Sequence, residues 1–293
     1  MHRADSAGFL DLGPAPSDYG RARFVVLPVA YDGAVSYRAG ARAGPAAIIS
    51  ASHHVELFDE ELQKECYAPG IATLAEVASD QASPESFHHQ LFDAAKRLTA
   101  DGKFILGLGG DHSISSALVR AALSRHERLS VLQVDAHCDL RDTYDGTRFS
   151  HACVMRRVIE LGASVVAVGI RSVDLEEHAF MKSAGLEPLS ARRCHESDDW
   201  IETAIRLLGE TVYVTVDIDG FDPAYAPGTG TPEPGGLDWY QVTLLLRRVA
   251  SEKRIVGADI VEVMPLPGQV MTEFLAAKLA YKIIAYVGTQ DAA

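Results

Sequence analysis

Short runs of aliphatic residues recur along this chain and are separated by longer amphipathic stretches. The runs have the length of strands: Phe24–Pro28, Lys103–Leu108, Leu129–Val134, Ser164–Ile170, Thr211–Val216 and Ile255–Val261. Because they are apolar at nearly every position, they must be covered on both faces, which is typical of parallel sheets. Parallel neighbours need a long connection, so the alternation predicts strand-helix-strand crossovers.

The stretches between the strands show the start and stop signals of helices. In Pro84–Ala100, Ser83 can cap the first turn, proline stands at its start and Gly102 follows its end. We therefore predict an α/β fold with three layers, a mainly parallel central sheet between two layers of helices. Residues 1–20, rich in Gly, Pro, Ser and Asp, are interpreted as a loosely ordered arm, and residues 21–293 as a single domain without internal repeats.

The charge of the chain excludes several classes of function. It has 27 Lys plus Arg and 40 Asp plus Glu, a formal net charge of −13, so nucleic acid and anionic membranes are poor partners. No apolar stretch of about 18 residues and no signal-peptide pattern occurs. The four cysteines form no C-x-x-C pair. We expect a cytoplasmic protein whose carboxylates suit metal cations or a positively charged small substrate.

Polar residues follow four of the predicted strands, where a core would not require them. These segments are Gly109-Gly110-Asp111-His112-Ser113, Asp135-Ala136-His137-Cys138-Asp139, Asp217-Ile218-Asp219 and Glu262. In open parallel sheets, ligands bind just outside the carboxyl ends of the strands. We therefore expect all four segments to share one edge of the sheet.

The spacing within these segments points to bound metal. Side chains alternate faces on an extended backbone, so Asp135, His137 and Asp139 point the same way. Asp217 and Asp219 follow the same rule. Crowded carboxylates and imidazoles would repel and desolvate one another at high cost unless a cation lay among them. Four Asp and two His favour two ions that share carboxylates, with manganese preferred and zinc, iron, cobalt or nickel left open.

Three segments resemble, in order along the chain, the three metal motifs of the ureohydrolase family, the group of arginases and agmatinases: residues 109–113, 135–139 and 217–223. Other segments are similar to further signatures of that family: Tyr31-Asp32-Gly33, Ser36-Tyr37-Arg38-Ala39-Gly40, Gly44-Pro45 and residues 228–237, GTGTPEPGGL. The resemblance extends along most of the chain and implies an arginase-like fold.

The resemblance also implies which residues hold two Mn²⁺ ions. His112, Asp135, Asp139 and Asp217 would bind one ion, while Asp135, His137, Asp217 and Asp219 would bind the other. A metal-bound hydroxide would then attack a guanidinium carbon, and collapse of the adduct would release urea and an amine. Asp139 would help to orient the hydroxide.

Two further catalytic residues are implied by the same resemblance. Glu262 matches the carboxylate that faces the guanidinium, and His151 matches the histidine that transfers a proton. Both roles agree with the chemistry of the side chains, because a carboxylate can orient planar N–H donors and an imidazole can donate the proton that a leaving amine needs.

We expect the loop between Asp139 and His151 to determine which substrate tail the protein binds. It resembles the loop of prokaryotic agmatinases, which implies hydrolysis of agmatine to putrescine and urea in polyamine biosynthesis. Guanidinobutyrate, aminopropylagmatine and arginine stay open as substrates, and Arg141 or Arg148 could pair with a carboxylate on a guanidino acid.

Two other classes of protein compete with a ureohydrolase. One is a metal-dependent amide hydrolase, such as a deacetylase, against which the second histidine motif and Glu262 argue. The other is a non-catalytic subunit that has kept the fold, although retention of every ligand argues against it. The resemblance further implies a homo-oligomer, a trimer or a hexamer.

Overall fold

A computed structural model describes residues 8–33, 37–77, 83–197 and 199–290. The strands are β1 (Phe24–Val29), β2 (Phe58–Asp59), β3 (Lys64–Glu65), β4 (Ile71–Thr73), β5 (Phe104–Gly109), β6 (Ser130–Val134), β7 (Ser164–Ile170), β8 (Leu189–Ser190), β9 (Thr211–Asp217) and β10 (Arg254–Val261). The α-helices are α1 (Gly44–Ser52), α2 (Pro84–Ala100), α3 (Ser115–Leu123), α4 (Val154–Glu160), α5 (Leu175–Ala184), α6 (Ala191–Glu196), α7 (Trp200–Leu207), α8 (Trp239–Glu252) and α9 (Met271–Gly288). Single 3-10 turns cover Phe9–Asp11, Ala41–Ala43, His112–Ile114, His151–Cys153 and Ile218–Gly220.

One eight-stranded parallel sheet forms the centre of the fold. Its strand order is β4-β1-β5-β10-β9-β6-β7-β8, and each neighbouring pair runs parallel. The antiparallel pair β2 and β3 lies apart from it. The predicted α/β fold with a parallel central sheet is confirmed.

Helices cover both faces of this sheet. On β1, Val26 packs into the hydrophobic cluster formed with α1, α7, α8 and α9, whereas its neighbours Val25 and Leu27 pack into the cluster formed with α2, α3, α4 and α5. The alternation follows from the two-residue period of a strand. It explains why β1 is apolar along its whole length, because neither of its faces meets solvent.

Local signals placed some elements well and missed others. The helix predicted at Pro84–Ala100 forms over those residues, and the Ser83 side chain accepts a hydrogen bond from Ser86 N at 3.1 Å. The short strands β4 and β8 were not predicted. They have three and two residues, too few to show a period, and they form only because they pair with β1 and β7.

The segment interpreted as a loose arm falls partly outside the described residues, since residues 1–7 are not described. Farther along it, Phe9 and Leu10 are buried in the cluster that includes α1 and α9. Phe9 N donates to Thr73 Oγ1 at 2.8 Å, and Leu10 N donates to Ser52 Oγ at 2.8 Å. These contacts fix the start of the described chain against β4 and α1. Among the helices described, none is both long and apolar enough to cross a membrane.

Candidate metal centre and adjoining cleft

Four neighbouring strands at the middle of the sheet end at the candidate site. They are β5, β10, β9 and β6, in that order across the sheet. Asp135 and Glu262 directly follow β6 and β10. Asp217 is the last residue of β9, and His112 lies three residues beyond the end of β5. Because the four strands are parallel, their carboxyl ends meet at one edge. The structure therefore brings together the four polar segments that were expected to share that edge.

The imidazole of His112 faces three carboxylates. Its Nδ1 lies 3.2 Å from Asp135 Oδ2, 2.9 Å from Asp139 Oδ2 and 3.5 Å from Asp217 Oδ2. His112, Asp135 and Asp139 each offer a ligand atom within 4.8 Å of the others, a group that could hold a metal ion.

A second group shares Asp135 with the first. His137 Nδ1 lies 3.1 Å from Asp219 Oδ2 and 3.7 Å from Asp135 Oδ1. Asp135, His137 and Asp219 again offer ligand atoms within 4.8 Å of one another. Asp217 joins the two groups, since its Oδ1 accepts a hydrogen bond from Asp219 N at 3.0 Å while its Oδ2 faces His112. All six candidate ligands thus lie in one cluster.

The electrostatics of the cluster fit bound cations. Burial and the neighbouring Asp135 raise the pKa of Asp139 to about 6. Burial, reinforced by Asp219 and Asp135, raises the pKa of Asp217 well above its ordinary value. The carboxylates outweigh burial at His137 and raise its pKa to about 12. A site that can keep its carboxylates ionised only beside positive charge is suited to metal ions.

The donor set and its burial agree with this reading. His112, Asp135, Asp139, Asp217 and Asp219 are buried, and His112 Nδ1 makes no hydrogen bond of good geometry among the described residues although three carboxylate oxygens lie within 3.5 Å of it. Carboxylate oxygens and imidazole nitrogens without thiolates suit Mn²⁺ and similar divalent ions. The residues present therefore fit a pair of divalent ions.

The backbone is strained where two of these segments leave their strands. Asp139 has φ of 54° and Glu262 has φ of 61°, in the left-handed region that non-glycine residues seldom adopt. Hydrogen bonds hold both: Met155 N donates to Asp139 O at 3.0 Å, and Glu262 N donates to Gly110 O at 2.8 Å. Strain of this kind is kept where a side chain must be aimed at a site.

Glu262 and His151 line one cleft with the cluster. The cleft has a volume of about 400 Å³ with the open space at its mouth included, and its walls include Asp139, Asp217 and Thr231. Glu262 Oε1 accepts a hydrogen bond from His112 N at 2.8 Å. Burial, followed by the nearby Asp111, raises the pKa of Glu262 well above its ordinary value. A half-buried carboxylate of this kind is suited to a cationic group of a substrate.

A second cavity of about 510 Å³ adjoins the cleft and shares His137, Asp139, His151 and Thr231 with it. Its far wall is formed by the loop after β6 and the segment before α5. Arg141 Nη2 lies 3.3 Å from Asp174 Oδ2, and its guanidinium lies 5.2 Å from the centre of the Tyr144 ring. The Tyr144 ring meets His151 edge-on at 5.7 Å.

Of the two arginines considered as tail contacts, only Arg141 lines a cavity named here. Arg148 Nη2 instead donates to Glu160 Oε1 at 2.9 Å in an exposed position. Arg157 joins the same network through Asp142 at 2.7 Å. Arg148 therefore ties the loop to α4 and does not face the site.

Sequence reasoning missed several residues that shape the site. Asp32, Tyr37 and Arg38 line the cleft; they stood in a family-like segment, but nothing local assigned them a role. Arg171 was not singled out at all. Its guanidinium donates to Asp219 O at 2.6 Å and to Glu233 O at 2.7 Å, which ties two loops of the site together. No local pattern marks an arginine that binds backbone carbonyls far along the chain.

The chain is similar to known enzymes along nearly its whole length. Residues 22–285 match the model of the arginase family. It is 39% identical over 281 residues to an N(1)-aminopropylagmatine ureohydrolase of Synechocystis sp., covering 94% of this chain and 92% of the relative. It is 35% identical over 268 residues to an agmatinase of Pyrococcus horikoshii, covering 90% and 91%.

A crystal structure gives the same result. The agmatine ureohydrolase of Thermoplasma volcanium superposes with a TM-score of 0.88 at 33% identity, covering 99% of this chain and 97% of the other. The family match, the two relatives and this fold similarity agree with the resemblance that the motifs indicated. The chain therefore belongs to the arginase family.

Proposed function

We propose that this protein is a metal-dependent ureohydrolase that cleaves the guanidinium of agmatine to urea and putrescine. The observation that carries the proposal is the cluster of buried Asp and His side chains that shares a cleft with Glu262 and His151. The relatives named agmatinase and aminopropylagmatine ureohydrolase support the choice of a guanidino compound with a cationic tail.

In this proposal six residues hold two divalent ions, with Mn²⁺ as the expected metal. His112, Asp135, Asp139 and Asp217 bind one ion, and Asp135, His137, Asp217 and Asp219 bind the other. When bound, such a pair supplies a water molecule whose pKa is lowered toward neutrality. The distances around His112 and His137 support this division, because each imidazole faces a different set of carboxylate oxygens.

The other residues of the cleft bind the substrate and move its protons. Glu262 orients the guanidinium through charge-assisted hydrogen bonds, and its fixed contact with His112 N keeps its carboxylate in place. Asp139 accepts a hydrogen bond from the nucleophile and orients it. His151, which lines both cavities, donates the proton that the leaving amine requires.

The adjoining cavity is the place for the tail of the substrate. Asp174 is its half-exposed carboxylate, already paired with Arg141. Glu177 is committed to the backbone, since its Oε1 accepts from Leu140 N at 2.8 Å and its Oε2 from Asp174 N at 2.9 Å. An ammonium group on the tail would compete with Arg141 for Asp174, which favours a cationic tail over a short neutral one.

N(1)-aminopropylagmatine is a second candidate substrate, and two observations favour it. The relatives at 38–39% identity carry that name, and the adjoining cavity is larger than the cleft beside the cluster. Val173, which is 44% exposed and lines this cavity, offers apolar surface to the methylene groups of a longer tail.

Urea release from a panel of guanidino compounds tests the proposal. The protein is loaded with Mn²⁺ and given agmatine, N(1)-aminopropylagmatine, guanidinobutyrate and arginine. We expect urea from the first or the second with the highest kcat/KM, and none after Asp135→Ala, which removes a ligand of both ions. Tight Mn²⁺ binding without urea from any of the four would refute the proposal.

Three parts of the interpretation stay predictions of the sequence. They are the identity of the metal, assembly into a trimer or hexamer, and a cytoplasmic role in polyamine biosynthesis. Metal analysis of the protein as purified and its mass in solution would test the first two.

A further inference from the structure

A chain of hydrogen bonds lies under His112, on the side of the ring opposite the carboxylates. His112 Nε2 lies 2.8 Å from Thr215 Oγ1. The Thr215 hydroxyl donates to Asp259 Oδ1 at 2.6 Å, and Tyr213 OH donates to Asp259 Oδ2 at 2.7 Å. All four side chains are buried. We call His112, Thr215 and Asp259 the buried relay.

The donors and acceptors of the buried relay fix the direction of its hydrogen bonds. The two oxygens of Asp259 accept from Tyr213 OH and Thr215 Oγ1, so the single hydroxyl hydrogen of Thr215 points to Asp259. The Thr215 oxygen can then only accept from His112, and the proton between them belongs to His112 Nε2. The Thr215 oxygen has two lone pairs. Even when Ser115 Oγ, 3.3 Å away, donates to one of them, the other can accept from His112 Nε2.

The consequence appears on the other side of the ring. With the proton on Nε2, the neutral imidazole has its lone pair on Nδ1. This is the nitrogen that faces Asp135, Asp139 and Asp217 at 2.9–3.5 Å. In the opposite tautomer, a proton would occupy the position of the metal and two lone pairs would face each other at Nε2 and Thr215.

We propose that Thr215 and Asp259 are positioning residues that hold His112 in the Nε2-protonated tautomer and thereby set the affinity of the ion that His112 binds. Partners of this kind fix the orientation of a metal-binding histidine, and their loss typically lowers metal affinity about 10- to 100-fold. The inference rests on the proposed function, since it requires His112 to be a metal ligand.

His137 is held differently, which makes the relay specific to one half of the site. Its Nε2 faces Glu233 Oε1 at 3.9 Å, and its side chain is 27% exposed. Removing the hydroxyl of Thr215 should therefore weaken the binding of one of the two ions and leave the binding of the other nearly unchanged.

The first test is a titration of metal-free protein with Mn²⁺, with free Mn²⁺ followed by electron paramagnetic resonance. Thr215→Val keeps the shape of the side chain but removes its hydroxyl, so we expect about 10- to 100-fold weaker binding of one ion. Thr215→Ala should behave alike, and Thr215→Ser should restore binding. Thr243→Val is the matched control, because Thr243 is also buried but donates to Trp239 O at 2.8 Å in α8.

A second measurement reads the hydrogen bond between His112 Nε2–H and Thr215 in metal-free protein. In protein labelled with ¹⁵N-histidine, the His112 Nε2–H should give a slowly exchanging proton resonance in wild type and Thr215→Ser. It should be lost in Thr215→Val and Thr215→Ala. This measurement does not depend on activity.

The outcomes separate the two proposals. If Thr215→Val and Thr215→Ala bind both ions as tightly as wild type, or keep the resonance, the role of the relay is refuted. If Thr243→Val weakens Mn²⁺ binding as much, the effect is general destabilisation and the role is again refuted. Wild type that binds no Mn²⁺ refutes the proposed function, and the resonance still decides whether His112 Nε2–H bonds to Thr215.

Discussion

The substitution Glu262→Gln isolates the charge of one carboxylate in the cleft. Glutamine has nearly the same size and keeps an oxygen that can accept from His112 N, the contact that Glu262 Oε1 makes at 2.8 Å. The left-handed backbone at this position is unchanged by the substitution. What is lost is the negative charge opposite the guanidinium.

The size of the effect follows from the hydrogen bonds that lose their charge. Hydrogen bonds to charged groups contribute about 1.5–3 kcal/mol, and about 1.4 kcal/mol corresponds to a factor of ten. We therefore expect kcat/KM for urea release from agmatine to fall by about 10- to 150-fold. Mn²⁺ stoichiometry should stay that of wild type, because Glu262 is not among the proposed ligands.

Glu262→Gln should lower activity but raise the stability of the metal-free protein. The pKa of Glu262 is raised in the folded state, so the stability linked to this group is present below its unfolded pKa of about 4.3 and is lost as pH rises through the folded value. Metal-free Glu262→Gln should therefore have a higher Tm at pH 7 than metal-free wild type.

Steady-state kinetics on Mn²⁺-loaded protein, with Glu210→Gln as the control, provide the assay. Glu210 is 92% exposed and lies beside Lys253, at the end of the strands away from the cleft. Its substitution should leave kcat/KM and Mn²⁺ binding unchanged. A Glu262→Gln variant with the kcat/KM of wild type, or one that loses activity only because it loses metal, would show that the carboxylate does not bind the guanidinium.

Two further predictions concern proton transfer and stability. His151→Gln should lower kcat about 10²- to 10⁴-fold with unchanged Mn²⁺ binding, whereas the exposed His178→Gln should not; equal activities would remove His151 from the mechanism. Lys282 lies buried, 2.9 Å from Asp59 Oδ2 and 3.2 Å from Glu61 Oε2, so Lys282→Met should cost about 3–5 kcal/mol in urea unfolding at pH 7. The pKa values of Asp59 and Glu61 are lowered, because burial, which raises them, is outweighed by hydrogen bonds and by the charge of Lys282. Their contribution is therefore present above the unfolded pKa of about 4 and lost as pH falls below it, so a Lys282→Met variant with the acid sensitivity of wild type would contradict this account.

The candidate metal centre could be predicted from the sequence because local patterns mark its residues. Asp135, His137 and Asp139 follow a buried strand, as Asp217 and Asp219 do, and nothing in a core requires them there. The expected alternation of faces on extended backbone is not how they converge, because Asp139 has φ of 54° and Asp219 lies in the 3-10 turn Ile218–Gly220. Their proximity to one another follows from a general property of parallel sheets, whose carboxyl ends lie at one edge.

The parts of the site that were missed depend on contacts between distant segments. Thr215 reads as an ordinary strand residue until β9 lies next to β10 and opposite His112, which is 103 residues away. Arg171 reads as a surface arginine until two loops fold over it. Arg141 and Arg148 are equivalent in the sequence, and their ion pairs separate them, because Arg141 pairs with Asp174 and Arg148 with Glu160.

The sequence by itself determined that this chain forms a parallel sheet covered on both faces and which side chains stand at the ends of its strands, because both depend on short-range periodicity and on the chemistry of single residues. The tertiary structure alone decided the order β5-β10-β9-β6 across the sheet. That order is set by how all the helices pack at once, so no short window of residues contains it. It also decides what lies behind each ligand, and therefore which nitrogen of His112 faces the metal centre.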